Sequence, residues 1–113
     1  MNYHNKKFKV VETSGNGEIN DDFIFHYKQE GDVLSSSYSG GDIVEGMIVG
    51  SVDDEGVITF TYRQTNSKGL ERSGICVSTP EILEDGRIRL NETWRWRDGD
   101  QSGGTTILEE VRL

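Results

Sequence analysis

The chain has no alanine among its 113 residues, one proline, one cysteine and two histidines. Alanine is the best helix former, and its absence beside 14 glycines leans the composition away from helices. The lone Cys76 cannot form an internal disulfide. With no apolar leader in MNYHNKKFKVVETS, it makes a cytosolic protein the plain expectation. His4, His26 and one thiol offer no spacing that suits a zinc site or a nucleophile triad, so no metal and no cofactor is expected. Hydrophobic residues are scarce at 33%, and no run approaches membrane-spanning length. Positive charge is in deficit too. A net charge of −8 argues against a nucleic-acid partner and against adsorption to anionic membranes.

What the chain does have is turn signals at regular intervals. They fall at 15–18, 30–32, 39–42, 53–56, 66–69, 79–86 and 98–104. Between them lie eight runs of strand length, near 6–13, 21–29, 32–38, 42–52, 57–65, 70–78, 87–97 and 104–112. Alternation puts Phe8 with Val10 on one face, and likewise Phe23, Phe25 and Tyr27; Leu34 and Tyr38; and Ile58, Phe60 and Tyr62. The segments DIVEGMIVG and ERSGICVST have no clear inward parity. Pro80 is assigned to a connection, so no strand loses a ladder donor to it. With short connections and no helix to cover a sheet, the expectation is one domain over residues 1–113. It is all-β: an antiparallel up-and-down meander of eight or more strands closed into a barrel, with a two-sheet sandwich as the alternative.

The most informative stretch is RIRLNETWRWRD at 87–98. Its inward positions read Ile88, Leu90, Glu92, Trp94, Trp96, so a carboxylate sits among core residues. Partners estimated from the turn centres place Arg72 opposite Glu92, Tyr62 opposite Arg72, and Glu92 opposite Glu109. That grouping is a polar belt of Tyr62, Arg72, Glu92 and Glu109. A buried carboxylate costs several kcal/mol unless it is paired or keeps its proton, and Arg72 is the expected counter-ion.

Two readings of this belt stand side by side. In one, the lumen binds a small, partly polar molecule. Arg72, Glu92, Glu109 and Tyr62 orient it, and Tyr27, Tyr38, Phe60, Trp94 and Trp96 form the walls. In the other, the belt is an internal ion-pair network that plugs the barrel. A paired-carboxylate hydrolase depends wholly on the assumed register and ranks below both. Outward-facing Arg87, Arg89, Arg95 and Arg97 are expected to meet acids such as Glu71 and Glu110 on neighbouring strands. A homodimer burying Val44 and Ile48 between chains is a further reading. Cys76 reads as a small core residue, and the glycines of YSGGD precede no helix that could hold a phosphate.

Several stretches together resemble a group of short bacterial proteins labelled "N-acetylglutamate synthase": MNYHNKKFKVVE, FHYKQ, YSGGDIVEG, GICVSTPEIL and LNETWRWRDGD. The resemblance spans nearly the whole chain. It implies a small calycin-like β-barrel, distantly similar to lipocalins and fatty-acid-binding proteins. The label implies acetyl transfer from acetyl-CoA to glutamate. Acetyltransferases of that activity resemble a mixed α/β fold with a glycine-rich loop and a helix N-terminus for the pyrophosphate, and this chain offers neither. No catalytic residue carries over. The enzyme label is read as a misassignment, acetyl transfer stays as a third reading, and a non-enzymatic binder is preferred.

Overall fold

The computed structural model describes residues 2–14, 24–40, 43–97 and 101–111. The predicted turn at 15–18, the turn residues 41–42 and 98–100, and Phe23 lie outside the described residues. The described chain forms nine strands: β1 (Lys7–Thr13), β2 (Ile24–His26), β3 (Lys28–Glu30), β4 (Val33–Gly40), β5 (Ile43–Val52), β6 (Ile58–Asn66), β7 (Glu71–Ile82), β8 (Ile88–Trp96) and β9 (Gly103–Glu110). All pairings are antiparallel, in the order β2-β1-β9-β8-β7-β6-β5-β4-β3.

The two ends of that order are neighbours on the chain, separated only by Tyr27. The run expected at 21–29 is therefore one stave shared between two partners. Its first half pairs with β1 and its second half with β4. At the changeover the Tyr27 amide donates to the Lys6 carbonyl, and the Ser36 hydroxyl bridges to the His26 carbonyl. The sheet thus closes, or nearly so, into an up-and-down barrel, as the alternation and short turns predict.

The interior is fitted by pairing large against nothing. Inward glycines face inward aromatics across the ladders: Gly46 opposite Tyr38, Gly50 opposite Phe60, Gly74 between Tyr62 and Trp96, and Gly104 opposite Trp94. A Cβ at Gly46, Gly74 or Gly104 would run into the ring opposite it, and one at Gly50 into the Thr59 carbonyl and the base of the Phe60 side chain. Leaving it out lets bulky rings lie across a barrel too narrow for two side chains at that level. One end of the barrel is capped by Tyr3, which is fully buried against Phe8 and Tyr27 and donates its hydroxyl to the Gly56 carbonyl.

Three expectations are corrected. Pro80 is not in a connection but inside β7, opposite Leu90. The β7 residues that bond β8 are odd-numbered, as with Leu83 to Arg87 and Arg97 to Ser73, so the Pro80 nitrogen faces the other way. On that side pairing to β6 ends at Ser78, and the ladder loses nothing. The β7–β8 turn is therefore only Leu83–Arg87, closed by Gly86 at φ 86° and by Asp85 accepting the Arg87 amide.

Second, this tighter turn slides the register by an even number, which keeps the faces and changes the partners. Ser78 stands opposite Glu92, and Cys76 opposite Trp94. The β8–β9 hairpin slips by an odd number instead, which reverses the faces of β9. Glu92 is opposite Thr106, and Glu109 is opposite Arg89. Third, a bulge between Ile43 and Glu45 resets β5, so Ile48 is buried inside the barrel and only Val44 is exposed. Ile48 is thus unavailable to the expected homodimer contact.

Candidate functional site

Alternation along β8 aims Glu92, Trp94 and Trp96 into the barrel, and β6 contributes Phe60, Tyr62 and Gln64 by the same parity. With Tyr27, Tyr38, Ile48, Cys76, Thr106 and Leu108, these residues line a cavity of about 50 Å³. A single water needs on the order of 10–15 Å³ measured in this way, so the space admits a few waters or one small molecular head. Its walls are mostly aromatic side chains. Trp96 meets Tyr62 edge-on at 5.3 Å and Trp94 at 5.9 Å, and Phe25 meets Tyr38 at 5.0 Å.

The polar groups divide into satisfied and unsatisfied ones. Tyr38 donates its hydroxyl to Gln64 Oε1 at 2.7 Å. Trp94 Nε1 donates to Thr106 Oγ1 at 2.9 Å, and that oxygen lies 3.0 Å from Thr13 Oγ1. Glu92 is different. It is 9% exposed, and its Oε2 has no hydrogen-bond partner among the described residues. The Tyr27 hydroxyl and the Ser78 hydroxyl are likewise buried without partners. Burial pushes the Glu92 carboxyl up to about 7, opposed by the Ser78 hydroxyl across the ladder, although the two oxygens do not reach hydrogen-bond geometry. Tyr27 and Cys76 are raised by their own burial and secondarily by the Glu92 charge, so neither ionises near neutrality.

Of the residues singled out from sequence, Tyr27, Tyr38, Tyr62, Glu92 and Trp94 come together around the cavity, and so do the wall residues Phe60 and Trp96. Arg72 and Glu109 do not. Arg72 pairs in register with Gln64, and its guanidinium carbon sits 3.9 Å from the centre of the Trp96 ring at the end of the barrel opposite Tyr3. Along β7 it is six positions from Ser78, roughly 20 Å of extended chain, so it is not the counter-ion of Glu92.

Glu109 faces outward, where its Oε2 accepts from Arg89 Nη2 at 2.8 Å and Arg89 Nε at 3.0 Å. The inward acid of β9 is Glu110, which accepts the Ile88 amide at 3.1 Å and pairs with Lys6 at 3.3 Å, nearer the Tyr3 end. The belt expected from sequence therefore resolves into a single acid, Glu92. Of the outer arginines, Arg87 pairs with Asp85 and Glu109 and also donates to the Glu110 carbonyl, Arg89 pairs with Glu109 and Glu81, and Glu71 pairs with Arg63.

Sequence reasoning passed over Gln64 and Ser78. Gln64 continues the parity of Ile58, Phe60 and Tyr62 and was in principle readable. Ser78 was hidden by the double parity of ERSGICVST and by the register set at Pro80. Among the described residues no group of His, Cys, Asp and Glu is placed to hold a metal ion, and no helix is long and apolar enough to cross a membrane.

Compared with known families, residues 1–111 match the family described as avidin-like protein. That match fits a small barrel of calycin type, and its description carries no synthase activity. No curated protein matches the chain.

Proposed function

Because the chain belongs to the avidin-like protein family, we propose that it is a non-enzymatic binding protein that holds a small, partly polar molecule in the barrel lumen, against Glu92. The observation that carries this reading is the Glu92 Oε2 atom, buried in an apolar cavity with no partner of its own. A barrel serving only as structure gains nothing from an unsatisfied carboxyl, which costs on the order of 1–3 kcal/mol or more. A bound molecule that hydrogen-bonds it recovers that loss. Acetyl transfer to glutamate forms no part of this reading, since the family match carries no synthase activity. A cytosolic setting, expected from the sequence, is kept as part of the same proposal.

The test is a thermal-shift screen of small metabolites, paired with native mass spectrometry of protein purified from cells. The expected result is at least one compound that raises the melting temperature of the parent and not of a Trp94→Ala variant. A screen without hits, together with a bare polypeptide mass, overturns the reading.

Self-association is a second reading, favoured by the outward face of β5–β7. There Met47, Val49, Ile75 and Val77 are exposed around Thr59 and Thr61. Sedimentation velocity checks it: a monomer at high concentration removes it.

A further inference from the structure

Among the described residues, Glu92 is the one acid lining the cavity, and no Lys, Arg or His lines it. None of the ion pairs of the described residues reaches Glu92. A carboxylate in such a place must keep its proton or acquire a positive partner from outside. Around it stand aromatic side chains, whose π-clouds attract cations. The barrel already shows one cation on such a ring, for the Arg72 guanidinium, outside the cavity lining, lies over the Trp96 indole at 3.9 Å. The net charge of −8 adds a long-range field of the same sign.

We propose that the cavity selects a small organic cation, an alkylammonium or methylated ammonium head, which Glu92 neutralises and the aromatic walls enclose. This rests on the binding-protein reading and names its ligand class. The titratable groups facing Glu92 are Tyr27, between β2 and β3, and Cys76 on β7, with Tyr38 and Tyr62 lining the same space from β4 and β6. The β8, β9, β1 and β5 lining residues other than Glu92 itself carry no charge. Cation binding therefore draws on one ionisation, that of Glu92, and strengthens as Glu92 loses its proton. A neutral ligand held by protonated Glu92 as donor would show the opposite slope.

The two tryptophans of the chain, Trp94 and Trp96, both line the cavity, so intrinsic fluorescence reports its occupancy. The experiment titrates the full chain with tetramethylammonium, with choline and with 3,3-dimethylbutan-1-ol, the neutral isostere of choline, at matched ionic strength. Choline is expected to bind more tightly than the alcohol. Its affinity should rise roughly tenfold from about pH 6 to about pH 8, as the competent fraction of a group titrating near neutrality grows. Tetramethylammonium should follow the same slope. Glu92→Gln should level the pH dependence and bring choline and the alcohol together, and the pH profile of the parent stands as the test should that variant misfold. Equal or tighter binding of the alcohol, or choline affinity falling as pH rises, overturns cation selection while leaving a binding protein. Fluorescence unmoved by all three compounds overturns cation selection as well, and the metabolite screen then decides whether any binding reading survives.

Discussion

A carboxyl buried without a counter-ion makes folding itself sensitive to pH, and Glu92 is that group. Its folded-state value, about 7, lies above the ordinary value of 4.5, so the native state holds the proton more tightly than the unfolded chain does. The associated stability is fully present below the ordinary carboxylate range and is lost as pH rises through about 7. The shift amounts to about 3 kcal/mol. Glu92→Gln keeps the shape and removes the ionisation, so the variant should gain on the parent as pH climbs from about 5 to 8. Urea denaturation at several pH values checks this, and parallel stability profiles for parent and variant would contradict it. The contrast with Glu109 is instructive. That residue is 15% exposed on its side chain and held by Arg89 on the outer surface, where such pairs contribute little.

At the scale of strands, the glycine–aromatic pairs determine the shape of the cavity. A methyl group at Gly74 would meet both the Tyr62 ring and the Arg95 carbonyl, and backbone cannot swing aside. Gly74→Ala should therefore lose roughly 1–3 kcal/mol by overpacking. It should also shift the tryptophan emission, because Tyr62 rests against Trp96. Chemical denaturation followed by fluorescence measures both. The strands also show what was legible in the sequence. Period-two alternation gave the inward faces of β4, β6 and β8 and the closed meander, because half-buried strands write burial directly into their parity. Register was not legible in that way. It depends on where each turn closes: reading Pro80 as a breaker moved the β7 turn, and an odd slip in the next hairpin exchanged Glu109 for Glu110. In β5 the bulge at Ile43–Glu45 changed phase within a run whose two faces are both apolar, so composition alone offered no correction.

For the whole molecule, Cys76 offers a measure of opening. It is a free thiol in the cavity wall, buried, and raised well above ordinary thiol values by that burial. Modification by a bulky disulfide reagent should require the barrel to open, so its rate should climb with added urea and fall when a ligand fills the lumen. A reaction complete within seconds in the native protein would contradict this.

Where the barrel yields first follows from its closing stave. Among the described residues, the ladders on either side of Tyr27 hold three residue pairs each, whereas β7 meets β8 along nine. Strength around the circumference is uneven, like a hoop with one thin weld. Isotopic exchange of backbone amides would trace that line ahead of the rest of the wall, and a guest too wide for the mouth would have a side door there.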